Sequence, residues 1–260
     1  FTNIKTITPR STQDTLQGTN VNNTWTLTGA ETDAIQGSIS WGSLTQNFTR
    51  MNKLIGGTLN DTFSIGSAGE LSGLIDGGSG TNEIEGPAGT GIVIWTYGET
   101  IGGYFSGSIK PTDTATAIPF SNISNITPQS TEDTFQGPDE VAIWTINDNN
   151  AGTVTWNGEA NFINFTDMNN LIGGNQTDTF TIVGLNKLTG TNGINGGSAG
   201  TNEIQGPNSV DTAWTIDTID GSNYAAGNLM STGAGGATAF SNIKKVIGRT
   251  TGIPENTITR

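Results

Sequence analysis

The sequence predicts an all-β protein. The expected fold is a right-handed parallel β-helix (β-solenoid) with about 23–24 residues per coil and roughly ten to eleven coils. Three observations carry that expectation. The chain is a tandem duplication, its short apolar runs alternate in polarity, and its recurring phrases are spaced by near multiples of one coil length.

The duplication is explicit. TPRSTQDTLQG at Thr8–Gly18 and TPQSTEDTFQG at Thr127–Gly137 agree at eight of eleven positions and lie 119 residues apart. GTNEIEGP at Gly80–Pro87 returns as GTNEIQGP at Gly200–Pro207, 120 residues on. The chain therefore reads as one segment, 1–260, built from repeats 1–119 and 120–239 with a partial third repeat at 240–260. Self-similarity at a fixed period marks stacked units, none of which can bury its apolar face alone.

The local signals are those of strands. NTWTLTG, GIVIWTYG, AGTVTWNG and DTFTIVG are β-branched or aromatic, alternate in polarity, and end at Gly, Asn, Asp or Pro. No window sustains apolar residues at i, i+3, i+4 and i+7, so almost no helix is expected. A hydrophobic fraction of 32% with 38 glycines suits a thin solenoid core better than a globular one.

The spacing comes from a phrase F-[ST]-x-[IM] at Phe1, Phe48, Phe120, Phe165 and Phe240, with intervals of 47, 72, 45 and 75. Intervals of 45–47 are two coils of about 23 residues, and 72–75 are three of about 24. Stacked at about 4.8 Å per coil, such a rod would be on the order of 50 Å long. A D-T-[FL] triplet follows each phrase, at Asp14, Asp61, Asp133 and Asp178, with Asn256 in the fifth copy. A Trp-Thr pair comes next, at Trp25, Trp95, Trp144 and Trp214. Phe48, Phe120, Phe165 and Phe240, with Ile4, Met51, Ile123, Met168 and Ile243, are expected to point inward. The four repeated tryptophans read as core or corner fillers. Trp41 and Trp156 sit beside turn residues and are expected to be more exposed.

Composition excludes several chemistries. With no Cys and no His there is no disulfide framework, no thiol nucleophile and no Cys/His metal site. A net charge of −13 disfavours nucleic acid and anionic membrane as partners. No apolar run approaches the length of a membrane-spanning helix, which needs roughly 18 residues or more. The chain opens and closes inside repeat phrases, which reads as a segment of a longer protein.

The pattern F-x-N-I-x-x-I/L-x-G-G-x-x-x-D-T-F, then L-x-G-x-I-D-G-G-x-G-T-N, then W-x-I, resembles the repeats of very large bacterial surface and biofilm-matrix adhesins of the filamentous-haemagglutinin-like kind. The resemblance covers essentially the whole chain. It implies a secreted or cell-surface β-helix that serves as an adhesin stalk. The partners it implies are extracellular polysaccharide, neighbouring cell surfaces and further repeats of the same longer chain.

Each constellation with chemical potential has a simpler reading. The phrases LIGGTLND, LIDGGSGTNE and LIGGNQTD are similar to a calcium-binding nonapeptide, but they occur singly, and Asn82 and Asn202 fill the Asp slot. They read as turn glycines. The D-T-[FL] aspartates read as turn acceptors rather than a glycosidic acid pair, because each would recur only every second or third coil. Thr-x-Thr triplets such as Thr153–Thr155 recur too irregularly for an ordered hydroxyl array. The sequons at Asn47, Asn60, Asn122, Asn125, Asn164 and Asn175 fit a Thr/Asn-rich composition. No catalytic, cofactor-binding or metal-binding residue is assigned, no cofactor is expected, and the chain is not read as an enzyme. The expected role is a rigid adhesin spacer. The alternatives are a carbohydrate-binding or polysaccharide-cleaving β-helix and a calcium-responsive adhesin segment.

Overall fold

A two-residue alternation sets which side chains turn inward. In Lys53-Leu54-Ile55 and Leu74-Ile75-Asp76 the central residue is buried and its neighbours face outward. The computed structural model is accordingly all β, with no helix among the described residues. These are residues 4–11, 14–31, 34–66, 73–87, 93–101, 104–111, 117–156, 161–231, 233, 236–248 and 257–259. The chain forms two compact units, Phe1–Ser130 and Thr131–Arg260.

In the first unit one sheet runs β1 (Thr6–Ile7), β5 (Leu44–Met51), β4 (Ala34–Trp41), β3 (Thr24–Glu31), β7 (Thr62–Ile65), β9 (Glu83–Glu85), β13 (Asn125–Thr127). The other runs β2 (Thr15–Gln17), β6 (Lys53–Gly57), β8 (Leu74–Gly78), β12 (Ile118–Ser121), β11 (Tyr104–Pro111), β10 (Val93–Ile101). The second unit repeats the scheme. Its first sheet runs β17 (Asn161–Phe165), β16 (Ala151–Trp156), β15 (Ala142–Asp148), β19 (Asp178–Ile182), β21 (Glu203–Gln205), β25 (Lys245–Ile247). Its second sheet runs β14 (Thr134–Gln136), β18 (Asn170–Ile172), β20 (Ile194–Asn195), β24 (Thr238–Ile243), β23 (Ala225–Ser231), β22 (Thr212–Ile219), β26 (Thr257–Thr259).

Successive passes of the chain pair in parallel. Leu54 pairs with Ile75, and Phe63 with Ile84. Leu171 pairs with Ile194, and Phe180 with Ile204. Each of these returns to the same sheet comes at about the expected interval. The longer intervals are built differently. Trp25 pairs with Phe63, and the antiparallel meander β3–β4–β5 lies between them in sequence. The same device recurs as β10–β11–β12, β15–β16–β17 and β22–β23–β24. Short parallel returns thus alternate with three-stranded meanders. The repeated Trp lies in the first strand of each meander and the repeated Phe in the last.

Register explains the meander's composition. Gly37, Gly107, Gly152 and Gly227 of the middle strands stand opposite Phe48, Phe120, Phe165 and Phe240. A Cβ on Gly152 would come within 2.0 Å of the Thr145 carbonyl oxygen and 2.9 Å of the Phe165 ring. Only glycine lets the ring lie over the neighbouring backbone.

The phrase itself ends in a kink. Its third residue, Arg50, Asn122, Asp167 or Asn242, has φ of 55–59°. In a regular strand, residues i and i+3 face opposite sides. The left-handed residue lets Phe48 and Met51, and their three equivalents, share the core. All eight of these side chains are buried as expected. Ile4 is the exception, at 47% exposed. It precedes β1, which among the described residues pairs on one side only, with β5.

Trp25, Trp95, Trp144 and Trp214 are buried, matching the core reading. Trp25 stacks on Phe63 and Trp144 on Phe180, each pair with centroids 5.5 Å apart. Trp156, expected to be more exposed, is buried opposite Ala142. Trp41 is half-buried. In the second unit Phe135 of one sheet meets Trp144 and Phe165 of the other at 5.2 and 6.1 Å, so the two sheets face each other across an aromatic core.

Candidate functional site

The aspartates of the repeated triplet divide into two kinds. Asp14 and Asp133 precede β2 and β14, in the second sheet of each unit, whereas Asp61 and Asp178 stand at the start of β7 and β19 in the first. Asp14 is a turn acceptor, its Oδ2 taking the Ser11 N–H at 3.1 Å. Asn256 lies outside the described residues.

Asp61 and Asp178 are fully buried and belong to a polar ladder that crosses strands. Asn23, Asp61 and Asn82 each stand one residue before the in-register residues Thr24, Thr62 and Glu83. Asp61 Oδ1 accepts both the backbone N–H and the Nδ2 of Asn23, each at 2.7 Å. Asn82 Oδ1 accepts the Asp61 N–H at 2.9 Å, and Asn82 Nδ2 donates to the Asn122 carbonyl at 3.0 Å. In the second unit Asn202 Oδ1 accepts the Asp178 N–H at 2.9 Å, and Asp178 Oδ2 accepts the Gly174 N–H at 3.0 Å. Ala142, paired with Asp178, stands where the first unit has Asn23.

The Gly-Gly phrases serve this ladder. A Cβ on Gly56 would lie 2.4 Å from Asp61 Oδ2, and one on Gly173 would lie 2.3 Å from Asp178 Oδ2. The amides of Asn82 and Asn202 donate to backbone carbonyls, a task an ionised carboxylate cannot perform. Burial pushes the Asp61 carboxyl above its ordinary range and that of Asp178 up to about 7. Asp61 Oδ2 and Asp178 Oδ1 are buried without an aligned donor, and Trp144 Nε1 is buried without an aligned acceptor. The Trp144 indole still lies near enough to favour the Asp178 carboxylate. The ladder's neighbours of each acid are Asn or Ala, so it offers cohesion between strands and no pair of acids.

Removing one rung tests that role. Asn82→Ala orphans the buried Asp61 N–H and the Asn122 carbonyl and costs about 1–3 kcal/mol, measured as a fall in urea-unfolding free energy.

A second polar constellation lies on the outer face of the first unit's second sheet. An open groove of about 810 Å³ crosses β2, β6, β8, β12, β11 and β10. Asp76 anchors its floor. Its Oδ1 accepts Asn122 Nδ2 at 2.7 Å and the Gly78 N–H at 3.1 Å, and its Oδ2 lies 2.9 Å from Lys53 Nζ. Burial opposes ionisation here, but the Asn122 and Lys53 contacts outweigh it and hold the pKa below the usual carboxylate value. In the second unit the comparable hollow is about 230 Å³, and Asn195 stands in place of Asp76. Asn195 Oδ1 accepts Asn242 Nδ2 at 2.8 Å and the Gly197 N–H at 2.9 Å. Asn170 replaces Lys53.

Sequence reasoning placed LIDGG among the turn phrases and missed the groove. The available signal was a paired difference between copies. Lys53 and Asp76 both become Asn, while the core residues beside them, Leu54 and Ile75, are kept as Leu171 and Ile194. No protein-family model, no curated protein and no solved structure matches the chain.

Proposed function

We propose that the chain is a structural stalk segment of a secreted bacterial surface adhesin, holding adhesive elements away from the cell for cell–cell or biofilm-matrix contact. The observation that carries this reading is where the recurring residues go. The four repeated Trp and the four described repeats of Phe are all buried, and so are the ladder residues Asn23, Asp61, Asn82, Asp178 and Asn202. The repeat is thus committed to holding strands together rather than to a surface. In this reading the alternation between two sheets is a flattened solenoid, wound right-handed as strand twist favours for parallel crossovers. Bending a unit would break many ladder bonds and core contacts at once.

The duplication gives a direct test. Deleting 120–239 joins Pro119 to Phe240. Phe120 and Phe240 occupy the same register position, paired in parallel with Ile75 and Ile194. The shortened chain folds, and attachment by the parent protein weakens gradually as repeats are removed. Attachment abolished by this single deletion, with folding intact, would replace the stalk reading with a binding module.

A further inference from the structure

We infer that the groove on the first unit's second sheet is a binding site for a neutral, extended saccharide chain. This goes beyond the stalk reading and stands independently of it.

The groove runs perpendicular to the strands across six neighbours, from Gln17 on β2 to Thr96 on β10. Five inter-strand steps of about 4.8 Å make it roughly 24 Å long. Its volume of about 810 Å³ lies within the range of small-molecule sites. A long, open trough admits a linear chain from the side rather than a compact ligand from above.

The chemistry narrows the class. Thr96, Ser106, Ser108 and Ser121 place short polar groups along the β10–β12 end, and Gln17 adds an amide at the other end. Ile55 and Pro119 supply apolar patches. Gly57, Gly78 and Gly98 also line the groove, and only Gly98 of the three has open space above it. This mixture of hydroxyls, an amide and small apolar surfaces matches a polyhydroxylated ring, which presents alternating donors, acceptors and C–H faces.

Other classes fit poorly. A peptide strand adds to a sheet edge through free backbone groups, whereas these strands are paired and offer a face. A polyanion needs unpaired cations. Lys53, the one cation among the described lining residues, is paired with Asp76 in a chain of net charge −13. The ion pair is only partly exposed, at 31% for Lys53 and 18% for Asp76, and Asn122 fixes it further. It is preorganised, so a ligand hydroxyl would meet a donor and an acceptor already in place. The second unit, with Asn170 and Asn195 and a smaller hollow, has lost this pair while keeping its core.

The test uses the whole chain and named probes. Cellohexaose, mannohexaose, maltohexaose and chitohexaose are titrated by calorimetry, with hexagalacturonate as the charged control. At least one neutral hexasaccharide binds with a Kd near or below about 1 mM, and the anionic one does not. Gly98→Trp fills the groove. A Cβ at Gly98 meets nothing within 4 Å, so the variant folds with an unchanged Tm. It weakens binding at least about tenfold. Asp76→Asn, which imitates the second unit, weakens binding by a similar factor, and Asn195→Asp leaves it unchanged. Failure of all four neutral probes, preference for hexagalacturonate, or binding indifferent to Gly98→Trp would overturn the assignment. Because none of these outcomes depends on chain length, they leave the stalk reading to its own deletion experiment.

Discussion

Phe165→Ala destabilises the protein by about 3–5 kcal/mol, read as a lower urea midpoint at an unchanged slope. The size follows from what the ring touches. Phe165 is fully buried, with the Phe135 and Trp144 rings 6.1 and 6.2 Å away. It also covers the bare backbone of Gly152, its register partner. Truncation therefore opens a cavity bounded by rigid strands that cannot collapse into it. Phe162, on the same strand, is the control. It is 49% exposed on the opposite face, and Phe162→Ala changes stability by no more than about 0.5 kcal/mol. Equal effects from the two substitutions would show that the repeated phrase does not set the core.

The second large effect is on pH dependence. Asp178 ionises at about 7 in the folded chain, against 3.8 for an unperturbed Asp, because burial disfavours the charge. Between those values the folded state binds more protons than the unfolded one. Stability therefore falls as pH rises, by up to about 1.4 kcal/mol per pH unit, and flattens above roughly pH 7 and below roughly pH 4. Asp61, also raised by burial, adds the same sign. Asp76 and Glu203, whose pKa values are lowered, act in the opposite direction from more exposed positions. Asp178→Asn isolates the buried group. The difference in unfolding free energy between the parent and this variant should change steadily across that window and be constant outside it. A flat difference would mean that the carboxyl stays solvated.

These two expectations show how unevenly the structure could be read in advance. The inward set was legible because repetition and burial coincide. Phe48, Phe120, Phe165 and Phe240 recur at fixed phase, and an outward residue would have been free to drift. The meanders were not legible. A strand such as Ala151–Trp156 alternates in the same way whether its neighbour is a hairpin partner or the next coil. The turn residues are also the same, since Gly42, Asn150 and Asn223 with positive φ suit a hairpin as well as a solenoid corner. Trp156 shows the same ambiguity, because its position beside a turn conceals its register opposite Ala142. The ladder was half visible. Asp61, Asp178, Asn82 and Asn202 stand in repeated phrases and Asn23 does not, and the bonds join residues far apart in sequence, such as Asn82 to Asp61 and Asp61 to Asn23, which no local pattern encodes.

Each unit places one meander in each of its sheets, β3–β5 and β10–β12 in the first, β15–β17 and β22–β24 in the second. This has a consequence for how such a chain can lengthen by gene duplication. A meander adds two strands to its own sheet and none to the facing one. Copying only the 45- or 72-residue interval between phrases would make one sheet outgrow its partner and leave its apolar face uncovered. Copying both intervals together restores parity. The duplicated block near 120 residues is then the smallest heritable step that keeps the two sheets commensurate, which accounts for a sequence that repeats strongly at that length and only loosely within it.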